Sequence, residues 1–443
     1  MSKETFLTEF FKGLSNKNID YFVFGEYSQL PHDTGGSDID ILLGNNQLVV
    51  VDKLILELIH THQACLGSFF LNSNAHYYRI ITSSWGVQID ILEGGFKYNG
   101  IDYYPLALLK EHLIDHNGIT VLDIKYGYYF GYLKEIIHNG TAKEKYIKGF
   151  ISVIDNDKSF YQKEIETLYG KNPWCLISSN YTIAGLCHIG QELRLEMLKF
   201  ISEHKKFKMF FTKIRKLNRF IQKRPGYLIA IEGTDGAGKS ALISKITPIL
   251  DECFHHSVIY CHLRPRFIPD ISVLFNKRST IEANKICTEP HKKKPSGLLG
   301  SLVRWLYYLL DYTFGYLIKV WPQIHKRSNV FLFDRYYYDY YIDAKRFRVR
   351  LPKMIIRFGE MFVSKPDLIL CLGGDPHIIF SRKPETSLEE VKRQIAELRS
   401  FCNSRDNTVW IDTTCNIDQT ISNTMSAIVG MMKKRNFDKN LKC

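Results

Sequence analysis

Apolar residues follow two different rhythms along this chain. From residue 227 onward, short apolar runs alternate with longer stretches of helical spacing. The runs are Tyr227-Leu228-Ile229-Ala230-Ile231, Val330-Phe331-Leu332-Phe333, Leu368-Ile369-Leu370-Cys371-Leu372 and Thr408-Val409-Trp410-Ile411. Each is short and nearly continuous in its apolar character, as expected of a strand buried on both faces. Strands alternating with helices predict a doubly wound parallel sheet over residues 225–443.

Nearer the N-terminus the period is two. Tyr21-Phe22-Val23-Phe24 reads as a strand ending at Gly25, and Asp38-Ile39-Asp40-Ile41-Leu42-Leu43 as another, entered through Gly35-Gly36-Ser37. Residues two apart on a strand face the same side, so Asp38 and Asp40 point together while Ile39 and Ile41 face the core. Val87-Gln88-Ile89-Asp90-Ile91 offers a third acid on an alternating strand.

Residues 116–224 have helical spacing and no chemical motif, which predicts a helical spacer domain. Tyr126 to His138 and Gln191 to His204 are its clearest helices. Its last stretch is amphipathic, with Phe207, Phe210, Phe211, Ile214, Leu217 and Ile221 on one face and lysines and arginines around the rest. Docking of that face on a neighbouring domain is the expectation; an acidic membrane surface or nucleic acid is the less favoured alternative. Arg224-Pro225-Gly226 ends the stretch and marks the boundary with the third domain.

Leu302 to Trp321 is apolar and aromatic but interrupted by Arg304, Asp311 and Lys319. It predicts a buried helix rather than a membrane span. Arg304 and Asp311 are candidates to line a pocket or to be paired buried groups. Composition agrees with this organisation: 443 residues, 45% of them apolar, make a multi-domain globular chain. The net charge of +13 predicts anionic partners. Ten cysteines show no C-x-x-C spacing, and Met1-Ser2-Lys3-Glu4 does not open a signal peptide, so the expectation is reduced thiols in a cytoplasmic protein.

The first apolar run leads directly into Gly233-Thr234-Asp235-Gly236-Ala237-Gly238-Lys239-Ser240, and helical spacing resumes at Ala241. Strand, glycine-rich turn and helix start are the parts of a phosphate-binding loop. Glycines let backbone N–H groups face the phosphates, and the helix N-terminus adds partial positive charge. Gly233, Asp235, Gly236, Gly238, Lys239, Ser240 and Ala241 are the predicted nucleotide-binding set. Lys239 is expected to reach the β- and γ-phosphates and Ser240 to bind Mg²⁺.

Glu232 to Ser240 resembles the loop of thymidylate kinases, and Asp334-Arg335-Tyr336 after the second strand resembles that family's Asp-Arg-Tyr motif. The resemblance covers about residues 225–435 and implies a P-loop kinase using ATP and Mg²⁺. It assigns Asp334 to Mg²⁺, Arg335 to a phosphate, Arg382 to the lid over the transferring group, and Asp235 to the acceptor. Asp412-Thr413-Thr414 falls near the expected place of adenine. Where thymidylate kinases carry Arg-Glu-Pro-Gly, this chain has Leu263-Arg264-Pro265-Arg266-Phe267. Arg264 and Arg266 suit an anionic acceptor or a surface charge pair, and dTMP itself is not the expected acceptor. The pattern is similar to thymidylate-kinase-like domains in bacterial fusion proteins. His291-Lys292-Lys293-Lys294-Pro295 reads either as a loop over the acceptor or as a solvated charged loop. Asp339 is a candidate base if the acceptor is a hydroxyl.

The N-terminal set Asp38, Asp40 and Asp90, with Gly36 and Ser37 before it, resembles the metal-binding triad of DNA-polymerase-β-like nucleotidyltransferases. That resemblance, over residues 1–115, implies an α+β domain with two Mg²⁺ ions held by the three carboxylates. The family's Gly-Ser is replaced here by Gly25-Glu26, which puts nucleotide binding in question while leaving metal binding expected. The combined reading is a two-site enzyme whose partners are a nucleotide and a small phosphorylated acceptor, with nucleic acid not expected. Its alternatives are a kinase whose N-terminal domain binds substrate or regulates, and a non-catalytic nucleotide-binding protein.

Overall fold

In the computed structural model, residues 2–72, 75–204, 226–271 and 297–440 are described. The predicted amphipathic stretch at 207–221, the boundary at 224–225 and the basic loop at 291–295 lie outside them. The chain divides into two compact units, one drawn from residues 1–62, 70–78 and 88–222, the other from 63–69, 79–87 and 223–443.

The first unit opens with α1 (Lys3–Asn16), β1 (Tyr21–Val23), β2 (Ile39–Leu43) and α2 (Leu48–Thr61). Strands β3 (Cys65–Asn72), β4 (Ala75–Ile81), β5 (Gly86–Glu93), β6 (Phe96–Tyr98) and β7 (Ile101–Tyr104) follow, then α3 (Leu106–Lys110), β8 (Leu113–His116) and β9 (Ile119–Leu122); residues 65–69 of β3, 79–81 of β4 and 86–87 of β5 count with the second unit. Seven strands form one mixed sheet in the order β3-β4-β5-β2-β1-β9-β8. Strands β2 and β5 are parallel, with Asp40 beside Asp90. Six helices come next: α4 (Ile124–Asn139), α5 (Glu144–Asn156), α6 (Lys158–Tyr169), α7 (Lys171–Ser179), α8 (Ile183–His188) and α9 (Gly190–His204). They share one core with the strands, running from Phe22, Phe24 and Phe96 through Tyr129 and Phe150 to Met197. The boundary expected at 115–116 thus falls within the β8 strand, which hydrogen-bonds β9 as part of the sheet. Inside this core Glu164 accepts hydrogen bonds from the Tyr104 and Tyr126 hydroxyls, at 2.8 and 3.0 Å, so its burial leaves no unmet charge–dipole demand.

The second unit is built on a five-stranded parallel sheet in the order β11-β12-β10-β13-β14. Its strands are β10 (Tyr227–Gly233), β11 (Val258–His262), β12 (Val330–Asp334), β13 (Leu368–Gly373) and β14 (Thr408–Asp412). The predicted parallel sheet is present, and β10, β12 and β13 are buried throughout. Helix α10 (Lys239–Phe254) follows the glycine-rich turn. The remaining helices are α11 (Leu298–Gly315), α12 (Trp321–Lys326), α13 (Asp339–Ile342), α14 (Lys353–Glu360), α15 (Pro376–Arg382), α16 (Leu388–Asn403) and α17 (Ile417–Asn440), with a π-helical turn over Tyr316–Val320.

The Leu302–Trp321 run departs from the buried helix expected of it: it is helical but not buried all round. Trp305, Leu309 and Tyr312 face the core, whereas Val303, Leu306, Phe314 and Ile318 are about half exposed or more. A helix apolar on every side satisfies either environment, so the pattern alone could not separate the inner face from the outer one. Among the described residues no helix is long and apolar enough to cross a membrane.

Candidate functional site

In the second unit the glycine-rich turn sits at the C-terminal end of the central strand β10, where doubly wound sheets place their ligands. Gly236 and Gly238 both have left-handed φ, 84° and 78°. At Gly236 a Cβ would lie 2.5 Å from the Ile379 carbonyl oxygen, so only glycine fits the turn. The turn opens onto a cleft of about 400 Å³ lined by Lys239, Ser240, Asp334, Arg335 and Arg382, among others.

Lys239 is 8% exposed and donates from Nζ to the Gly233 and Thr234 carbonyls, each at 2.9 Å. Burial, reinforced by the charge of Arg335, lowers its ammonium to about 8 against the pull of Asp334, Asp235 and Asp339. Asp334 ends β12 one strand away, paired in register with Ile231. Its Oδ2 accepts from the Tyr260 hydroxyl at 3.1 Å and lies 3.4 Å from the His262 ring. Burial alone would raise the Asp334 carboxyl, but His262, Lys239 and Arg335 together pull it down to about 2. Its other oxygen, Oδ1, is buried with no hydrogen-bond partner among the described residues. An ionised carboxylate with an unmet oxygen, in the same cleft as a serine hydroxyl at a helix start, is a donor set that suits Mg²⁺ and its water shell. Ser240 is exposed at that helix start.

Arg335, predicted to grip a phosphate, is only 2% exposed and has left-handed φ. Its NH1 donates to both oxygens of Asp339 at 3.0 and 2.9 Å, and its NH2 to Asp235 at 2.8 Å. Asp235 is held from its other oxygen by Arg346. Arg346 also pairs with Asp343 at 3.3 Å. The structure therefore joins Asp235, Arg335, Asp339, Asp343 and Arg346 in one ionic network at the cleft wall. Asp339, the candidate base, is fully buried against Arg335. Burial raises its carboxyl even though Arg335 opposes the shift. Arg382 donates to the Thr413 carbonyl at 2.9 Å, which ties the end of α15 to the segment after β14.

Arg264 is a clamp rather than an open anion site. It is 8% exposed, bonds Asp311 and Asp270, and donates to the Ile268 carbonyl at 2.8 Å. Asp311 of α11 is fully buried and also accepts the backbone N–H groups of Arg266, Phe267 and Ile268, at 3.1, 2.7 and 3.0 Å. Of the two readings open for Asp311, the paired buried group is the observed one. Arg266 stays partly exposed, and its carbonyl accepts from Lys319.

In the first unit Asp38, Asp40 and Asp90 do converge. One oxygen of each lies within 4.8 Å of the others, as the Asp40–Asp90 register and the two-residue offset of Asp38 require. Gly25 approaches closely enough that a Cβ there would be 3.0 Å from Asp40 Oδ2. Gly36 has left-handed φ, and Ser37 donates its N–H to the Thr34 carbonyl at 3.1 Å, closing the turn into β2. Burial pushes the Asp40 carboxyl up to about 6, opposed by Lys134 and assisted by Asp38. The Lys134 ammonium lies 3.9 Å from Asp40 and over the Phe24 ring, and the surrounding carboxylates raise it despite its burial. One lysine against three carboxylates leaves a net negative cluster, a donor set that fits a divalent cation. Glu26 accepts the Ser28 N–H at 3.2 Å, and its hydrogen bonds to Ser28 lower its carboxyl.

Lys134, Tyr260, His262 and Arg346 escaped the sequence reading. His262 had a usable signal, because it closes the short run Val258–His262 as Asp334 closes Val330–Asp334, although their register was not readable. Arg346 had its i,i+3 spacing to Asp343, but its hold on Asp235, like that of Lys134 on Asp40, crosses the fold and had no local signal.

No protein-family profile matches this chain, and no curated protein matches it. Among solved structures it is similar to the thymidylate kinase of Ehrlichia chaffeensis, with 14% identity and a TM-score of 0.31, over 46% of this chain and 100% of that one. At that similarity nothing is carried over from that protein.

Proposed function

We propose that residues 225–443 act as an ATP-dependent kinase that moves the γ-phosphoryl group to a small phosphorylated acceptor. The observation that carries this reading is that Lys239 and the unpartnered Asp334 Oδ1 belong to one cleft at the head of a strand–turn–helix unit. Lys239 would exchange its two carbonyls for phosphate oxygens, and the turn's N–H groups would hold the remaining ones. Ser240 and Asp334 would hold Mg²⁺, which supplies charge neutralisation across the β- and γ-phosphates. Arg382 would face the transferring group from the lid side. A phosphate acceptor needs no general base, in keeping with the burial of Asp339 against Arg335.

The acceptor is expected to differ from dTMP, because Arg264 is committed to Asp311 and Asp270. ATP consumption by the full chain should stay near background with dTMP and rise with another nucleotide or sugar phosphate. Efficient, selective phosphorylation of dTMP would overturn this part of the reading.

For the first unit we propose metal-dependent nucleotidyl transfer at Asp38, Asp40 and Asp90, supported by the Asp40–Asp90 register. Lys134 favours a second reading, in which its ammonium partly replaces one cation and the unit binds metal without transferring nucleotides. Asp40→Asn should weaken Mn²⁺ binding, measured calorimetrically, by about tenfold or more. Kinase turnover should be unchanged, because its ligands lie in the other unit. Loss of nucleotidyl transfer in this variant supports the first reading. Absence of that activity from wild-type protein that still binds Mn²⁺ supports the second.

A further inference from the structure

Two helices of the second unit carry large apolar side chains that are exposed among the described residues. On α11 and the π turn after it, Leu299, Leu306, Leu310, Phe314 and Leu317 recur at helical spacing and are 45–76% exposed. On α14 and the residue pair after it, Met354, Phe358, Met361 and Phe362 do the same, at 50–81%. The two rows lie side by side: Thr313 donates its hydroxyl to the Phe362 carbonyl at 3.1 Å, and Gly359 meets the Trp305 ring. These two segments hold thirteen of the 24 exposed large apolar side chains among the described residues. A patch of that kind marks an interaction surface.

Charge decides between occupants. Within 297–327 and 353–365 the exposed charged residues are all basic: Lys319, Lys326, Arg327, Lys353, Arg357 and Lys365. Lys319 already donates to a carbonyl and Lys353 pairs with Glu397, yet both keep their positive charge at the surface. The two acids in these segments, Asp311 and Glu360, are buried and paired with Arg264 and Arg405. Two-fold pairing with a second copy would set one basic border against another, with no exposed acid in either segment to answer it. An anionic bilayer answers both features, since its interface accepts Leu, Phe and Met side chains and its headgroups attract the lysines and arginines.

We propose that the joined outer face of α11 and α14 is a peripheral membrane-binding surface for anionic lipid. Apolar side chains enter the headgroup boundary, and the basic residues around them contact lipid phosphates. This surface does not depend on which acceptor the cleft takes.

Sedimentation of the full chain with vesicles tests it. Binding to phosphatidylcholine–phosphatidylglycerol vesicles is expected, with much weaker binding to phosphatidylcholine alone and a clear loss in high salt. Phe358→Asp with Met361→Asp should reduce binding by at least about tenfold. Arg357→Glu should reduce it less and flatten the salt dependence. All three positions are exposed, so the thermal transition should not move; Leu306→Asp gives an independent variant on the neighbouring helix if it does. Absence of vesicle binding, or binding unchanged in these variants, overturns the proposal. A stable dimer that these variants dissolve into monomers also overturns it, and assigns the face to a second copy.

Discussion

Lys239→Ala should abolish ATP-dependent phosphoryl transfer, lowering kcat by a factor on the order of 10² to 10³ or more. The side chain is the only ammonium that the turn itself supplies to the cleft, and charge building on the transferring oxygens has no equivalent partner without it. Its present bonds are to the Gly233 and Thr234 carbonyls, which cleft water can replace. Stability should therefore change by only about 1 kcal/mol. Turnover with the acceptor found active, together with a thermal melt, checks both halves. Turnover like that of the wild type would remove the kinase assignment.

Asp339→Ala should strongly destabilise the second unit. It strips both NH1 bonds from a guanidinium that is 2% exposed and leaves Arg335 with Asp235, which Arg346 already shares. Removing one partner of a buried ion pair costs about 3–5 kcal/mol. Asp339→Asn should cost less, because one oxygen remains to accept. Denaturant midpoints of the three proteins give the comparison. A loss below about 1 kcal/mol for the alanine variant would mean that water reaches Arg335 and compensates for the missing carboxylate.

The parallel sheet was legible because its strands are short, apolar on both faces and ended by residues that helices avoid; Gly233 after Tyr227–Ile231 is the clearest case. The carboxylates of the first unit were legible as residues, since the alternation of Asp38, Ile39, Asp40 and Ile41 fixes which way each points. That Asp90 would stand beside Asp40 was a matter of register, which periodicity does not carry. Helical spacing from Tyr126 to His138 was visible, but what those helices cover was not. Tyr129 and Phe150 share a core with Phe24 and Phe96, and nothing local to either segment records that choice. Arg335 shows a different failure. Its i,i+4 relation to Asp339 was present in the sequence, yet the hold of Asp235 and Arg346 depends on a turn and a loop more than 100 residues apart. A motif names the cation; the fold decides how many anions have already claimed it.

Asp311 gives the second unit a mechanical property. One carboxylate of α11 fastens three successive N–H groups of the segment after β11 and the Arg264 side chain, all without solvent between them. Helix and segment are thereby a single lever. A load on the outer face of α11 would therefore reach the residues that follow His262 at the end of β11.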